Sequence, residues 1–490
     1  MAGLRRDNAR DGHLQRRSAL AAVATALAGV AGCFAEPAET DASDADSSGD
    51  RSKAELEERE NATEVNREDE HETDEEESDE SENGADESWP AFGFDAANTG
   101  SGPDLTGPTT SGVSWIFDGG TPTMNCSPIV SDGVVYTAAT GGDGGLYAID
   151  GGSGEHRWEF ETAGYASSAP GFDGKRLYVG TWDHRFHAVD ADTGDEIWTL
   201  QPGHRFGDSS PAVVDGVVYV GSYGDAPMVV SGPDDEDEFE APAIFALEAE
   251  TGEERWRYDA FDDRESVSSS PAVADGLVFV VSPDGELLAL EADSGDERWR
   301  RDLRAHSDVS PTVIDSVVYC PGRPDDDEMR ENDEVRGKLW ALETGTGETR
   351  WSADLSELSL RTSPAVDDGV VYLAGSTVEA CPGLAEDCEA ESSGTLYAID
   401  AESGEGRWEA DLAADTRSSP AVADGTVYVG NGTAMSAIGG DGEPRFEVDF
   451  REHESDDDEV RYLNSSPAVA DGRVYVGTSD GRLYAIGDAT

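Results

Sequence analysis

Arg361 and Arg417 stand 56 residues apart at the same place in a recurring phrase, three residues ahead of a proline. Two guanidinium groups on neighbouring copies could grip one carboxylate or phosphate through paired hydrogen bonds. In the other copies this place holds Asn125, Ser167, Asp208, Ser268, Asp308 and Asn464. All eight are polar, whereas the strand behind each is apolar. Two readings stay open. The set is a small-anion site or peptide-docking mouth, or it is the wet lining of a channel in which Arg361 pairs with Asp308.

Other reactive residue types are placed less suggestively. His184 and His187 lie three apart in an extended stretch, which puts them on opposite faces and argues against a shared metal. Asp190-Ala-Asp192-Thr-Gly-Asp195 resembles the start of a calcium loop, but the remaining EF-hand positions do not follow, and the same residues serve as a repeat turn. The acidic stretches 233–238 and 455–459 read as solvated loops rather than calcium sites. No spacing assembles a Ser/His/Asp or Cys/His nucleophile, so no catalytic residue and no metal site is expected. Of the five cysteines, Cys126 and Cys320 replace small residues of the repeat and read as buried fillers. Cys381 and Cys388 flank six residues and are candidates for a disulfide, which would stabilise by about 2.5 kcal/mol, or for free thiols. Asn61-Ala-Thr and Asn431-Gly-Thr fit the glycosylation pattern, which is too common to decide anything.

Eight copies of the phrase must position these residues. They set prolines at Pro128, Pro170, Pro211, Pro271, Pro311, Pro364, Pro420 and Pro467, with spacings of 42, 41, 60, 40, 53, 56 and 47. A period of about 40 residues stretched by insertions marks a propeller or repeat array. Each copy reads as a four-stranded antiparallel blade: a short apolar strand, an Asp-Gly hairpin turn, an alternating strand, a Leu-Tyr-Ala-Ile strand, a Ser/Thr-Gly-Glu turn and a strand carrying an aromatic. These aromatics are Trp158, Trp198, Trp256, Trp299, Trp351, Trp408 and, in substitution, Phe446. The eighth copy lacks a fourth strand, and Gly112-Val-Ser-Trp115-Ile-Phe lacks a blade. The expected fold is therefore an all-β, eight-bladed propeller in which Trp115 completes the last blade and leaves no open edge.

The Ser/Thr-Gly-Glu-x-x-Trp phrase resembles the tryptophan-docking motif of the quinoprotein (PQQ)-like repeat family, and Trp89–Gly100 resembles that family's usual lead-in. The resemblance covers residues 89–490. It implies either a quinone-dependent alcohol dehydrogenase using PQQ and calcium, or a non-catalytic scaffold similar to the outer-membrane assembly lipoprotein. The adjacent Cys-Cys pair typical of such dehydrogenases is missing, as is the Cys-x-x-Cys-His of an attached haem. Asp308 and Asn464 could be drafted as base or calcium ligand, but no spacing singles them out. No cofactor is expected.

Residues 1–33 resemble an export signal. Arg16-Arg17 precede an apolar run of 14 residues, Ala19 to Gly32, shorter than the roughly 20 that span a bilayer. The paired arginines resemble a twin-arginine signal, and Val30-Ala-Gly-Cys33 resembles a lipobox with Cys33 lipidated; a plain cleaved signal is the alternative. Residues 34–88 carry 24 acidic and four basic residues, the composition of a disordered stalk. Formal net charge is −72, and lysine occurs only at Lys53, Lys175 and Lys338. In molar salt the screening length falls to about 3 Å, which makes such a surface tolerable. The composition resembles that of halophilic archaea and excludes nucleic acid as a partner.

The long insertions, 222–242, 321–337, 376–393 and 451–463, all fall on the face that carries the eight polar residues, whereas the turns of the other face are monotonous. Variation on one face of a rigid scaffold marks that face for function. The sequence thus predicts a monomeric, lipid-anchored propeller at the outer face of the cell membrane that binds envelope or secreted proteins. A PQQ-dependent dehydrogenase and an anion-capture module remain the alternatives.

Overall fold

The computed structural model describes residues 87–487 apart from 103, 142–143, 225–240, 260–265, 325–335, 356–358, 379–391 and 454–461. Eight sheets make up the fold, seven of them four-stranded and that of blade seven five-stranded through the parallel addition of Ser101–Gly102, and the described residues contain no α-helix. The innermost strands of blades one to eight are Ile129–Ser131, Gly171–Phe172, Ala212–Val214, Ala272–Ala274, Thr312–Ile314, Ala365–Asp367, Ala421–Ala423 and Ala468–Ala470. In blade eight, Val113–Asp118 pairs antiparallel with Arg482–Gly487, setting Trp115 opposite Ala485. Two-residue turns join the first and second strands of most blades. Asp132 and Gly133 both take positive φ there, 48° and 67°, which matches the twist of the flanking strands. Blade five makes the same turn with Asp315 and Ser316.

No blade buries its own two faces, so the core lies between blades. Tyr136 and Ala148 of blade one pack with Leu177 and Val189 of blade two, and equivalent layers recur around the ring. At the rim, each fourth-strand tryptophan donates its indole N–H to a backbone carbonyl of the next blade: Trp115 to Gly151, Trp158 to Ala191, Trp198 to Ala249, Trp256 to Ala292, Trp299 to Thr344, Trp351 to Ala401 and Trp408 to Gly440, at 2.8–3.1 Å. The indole lies flat on the glycine of the next blade's turn. Gly295, at φ 73°, approaches Trp256 so closely that a Cβ would sit 2.7 Å from the ring. Phe446 has no N–H to donate, and blade eight offers no such turn, because its third and fourth strands come from opposite ends of the described chain.

The lead-in residues fill the axis. An innermost strand has a free edge whose N–H groups need acceptors. The lead-in supplies them on blades one and four to seven. Trp89 exchanges two 2.8 Å bonds with Val130 of blade one. The carbonyls of Ala96, Ala97, Thr99 and Gly100 accept from Val273, Val313, Val366 and Val422 of blades four to seven, and that of Thr106 from Gly472 in the turn of blade eight. Asn98, at φ 55°, is 3% exposed and donates its amide to the carbonyls of Ser270, Pro271 and Pro311.

Candidate functional site

Above this plug the serine preceding seven of the eight repeat prolines forms a belt. The N–H of Ser210 donates to the Ser270 hydroxyl, Ser270 to Ser310, Ser310 to Ser363, Ser363 to Ser419, Ser419 to Ser466 and Ser466 to Ser127, at 2.9–3.1 Å. Ala169 donates to Ser210 but, lacking a hydroxyl, offers nothing to Ser127. Belt and plug thus occupy the axis beneath the mouth residues.

The eight polar residues stand one per blade above the belt. Six of them are linked. Ser167 accepts from the Trp182 indole at 2.8 Å, and Asp208 accepts from the Tyr223 hydroxyl, which lies 3.2 Å from the Ser268 hydroxyl. The rings of Trp182 and Tyr223 are 4.9 Å apart. Burial pushes the Asp208 carboxyl up to about 6, and the negative charge of Asp308 adds to the shift. Asp308, 37% exposed at its side chain, accepts from Arg361 at 3.0 Å. Arg417 lies within range of Arg361: burial first, and then that neighbouring positive charge, lower its pKa. Asn125 is half-buried on blade one and Asn464 exposed on blade eight.

Four members of this cluster escaped the sequence reading. Arg323, at the end of the second strand of blade five, has its pKa lowered by burial and by Arg361. His306 lies 3.9 Å from Asp308, and burial and Arg361 keep it neutral more readily than usual. Trp182 and Tyr223 each follow the Gly-Ser/Thr pair that ends the second strand, where blade eight has Ser479. That replacement of a small residue by an aromatic was the available signal.

The remaining candidates have structural roles. His184 bonds the Gly203 carbonyl and His187 bonds Glu196, in separate environments. The carboxylate of Asp190 accepts from the N–H groups of Asp192 and Thr193, the work of a turn. Cys126 and Cys320 are buried thiols, the first donating to the Ala166 carbonyl at 3.3 Å. Asn431 is 1% exposed and donates to Ser436, which removes it as a glycan acceptor. Cys33, Cys381, Cys388, Asn61 and the acidic stretches 233–238 and 455–459 lie outside the described residues.

A family profile described as outer membrane protein assembly factor BamB matches residues 103–231, 239–326 and 333–490, well over half of the chain. The chain belongs to that family. Among curated proteins, this BamB-family propeller is 29% identical over 193 residues to the quinohemoprotein alcohol dehydrogenase of Comamonas testosteroni, covering 35% of this chain and 25% of that enzyme. It therefore spans only a quarter of that relative's length. The crystal structure of the Comamonas enzyme superposes with a TM-score of 0.62 at 17% identity, covering 82% of this chain and 81% of that one. BamB from Moraxella catarrhalis superposes with a TM-score of 0.54 at 18% identity, covering 77% and 99%. At such identities the two superpositions speak for the fold alone, and the BamB-family propeller takes its chemistry from its own residues.

Proposed function

We propose that this chain is an exported, lipid-anchored scaffold at the outer face of the cell membrane, without catalytic activity, that binds envelope or secreted proteins through its loop-bearing face. The observation that carries this reading is the axis. The chain's own lead-in segment occupies the axis, and the carboxylates at the mouth have partners, Asp308 the Arg361 guanidinium and Asp208 the Tyr223 hydroxyl. The family description points the same way, towards assembly.

The residues do not fit a calcium–quinone pair. Calcium takes six to eight oxygen ligands. Among the described residues no group of three or more His, Cys, Asp or Glu side chains could hold a metal ion. Asp308, the carboxylate best placed to serve, is spent on a guanidinium.

Calorimetric titration of the purified chain with PQQ and calcium in molar salt separates the readings. The scaffold reading expects no saturable heat, and micromolar binding would overturn it. In parallel, crosslinking on intact membranes should capture the same envelope protein with the full chain and lose it when the four long insertions are trimmed. Capture that ignores the trimming would move the docking face elsewhere.

A further inference from the structure

Between belt and lead-in lies a cavity of about 10 Å³, room for one monatomic guest and for no polyatomic one. Ser363, Ser419 and Ser466 line it from blades six to eight, and Trp89, Phe92 and Asn98 line it from the lead-in. Each of the three hydroxyl oxygens already accepts a backbone N–H, from Ser310, Ser363 and Ser419 respectively, at 2.9–3.1 Å. A serine hydroxyl also carries a proton to donate. Among the described residues none of the three has an acceptor for it. Three unspent donors therefore border one small cavity, and no described carboxylate lines it. The residues two ahead of these serines are Arg361, Arg417 and Asn464, so the charges nearest along the blades are positive.

We propose that this cavity binds a single halide ion, held by the hydroxyls of Ser363, Ser419 and Ser466. An anion accepts all three protons and needs no acceptor in return. A water molecule has two lone pairs, so it would leave one hydroxyl unsatisfied and bring two protons of its own. A cation would compete with the backbone N–H groups for the same oxygens and would lie near two guanidinium groups. The lining of Trp89, Phe92 and the repeat prolines keeps the surroundings of low polarity, which strengthens hydrogen bonds to a charge. A bound halide would join three blades to the plug at the axis, so the stability of the ring would rise with halide concentration by mass action. Such binding goes beyond the scaffold reading and does not depend on it.

The test is thermal unfolding of the full chain in potassium salts at constant molar ionic strength, with acetate replaced stepwise by chloride or bromide. Tm should rise and then saturate with either halide. Ser419→Ala should weaken the apparent halide affinity about tenfold or more, the size expected for one hydrogen bond to a charged group. Ser310→Ala also removes a belt hydroxyl, but Ser310 does not line the cavity. That variant should unfold at a lower temperature in every salt mixture and keep the parent's halide response. Circular dichroism verifies that both variants are folded. Crystals of the full chain grown in bromide should show an anomalous peak bounded by the three serine hydroxyls. A rise that never saturates, a response lost equally in both variants, or a cavity without bromide would overturn the proposal.

Discussion

The backbone N–H of Ser466 in blade eight donates to the hydroxyl of Ser127 in blade one at 2.9 Å, across 339 residues of sequence. It is one link of a belt in which each innermost strand hands a hydrogen bond to the next. The belt explains why serine precedes nearly every repeat proline: the proline has no N–H, so the residue before it carries the last donor above the axis and needs a hydroxyl from its neighbour.

The belt has one gap. Ser127 finds no hydroxyl on Ala169, and Ala169→Ser should supply it. The gain expected for one buried hydrogen bond is about 0.5–1.5 kcal/mol, read as a rise in the denaturant midpoint at unchanged slope. Ser310→Ala should lower the midpoint by a similar amount or more. If Ala169→Ser destabilises, blades one and two are spaced differently from the rest.

Rim docking predicts an asymmetry between seams. Trp256→Phe should cost about 1–3 kcal/mol, because it leaves the Ala292 carbonyl with one donor fewer. Gly295→Ala should cost at least as much, since it combines a positive φ with a Cβ 2.7 Å from that indole. Phe446→Trp should give no comparable gain, as blade eight has no turn carbonyl to receive it. Thermal unfolding of the three variants decides, and a clear stabilisation by Phe446→Trp would contradict the account of that seam.

Asn98 should be among the least replaceable residues of the lead-in. It is buried at positive φ, and its amide serves three carbonyls of two blades. Asn98→Ala removes those donors and keeps the strained backbone, for an expected loss of about 1–3 kcal/mol. Limited proteolysis should then cut within residues 89–106 faster than in the parent chain. Unchanged cleavage would mean that the plug is held without Asn98.

Asp208 should impose a pH dependence of known sign. Its carboxyl lies near 6 in the folded chain against an ordinary 3.8, raised by burial and by Asp308 and partly offset by the Tyr223 and Ser167 hydroxyls. Folding therefore favours the protonated form. The penalty for ionising it is absent below about pH 4, develops between about 4 and 6 and is complete above. Asp208→Asn removes it, so the variant should gain stability over the parent at pH 7.5 and little at pH 4.5. At 1.36 kcal/mol per pH unit the gain is at most about 3 kcal/mol. Equal effects at both pH values would show that burial does not set this pKa.

Fold and blade number were legible because each repeat carries its own local signals: a turn pair with positive φ, alternating apolar strands and an aromatic at fixed distance. Those signals act over a few residues and repeat eight times, so errors in one copy are corrected by the others. The eight mouth residues were legible for the same reason, by their common offset from the proline, and the Arg361–Asp308 pair follows from two adjacent blades. The rest depended on what the ring brings together. Nothing near Ala96 or Asn98 in sequence announces acceptors and donors for blades four to six, because the need arises only when free strand edges meet at an axis. Nor does Asp208 announce its raised pKa, which comes from burial and from a carboxylate 100 residues further along the chain. Local chemistry thus wrote the blades into the sequence, whereas the plug, the belt and the pairing of charges at the mouth exist only where blades distant in sequence converge.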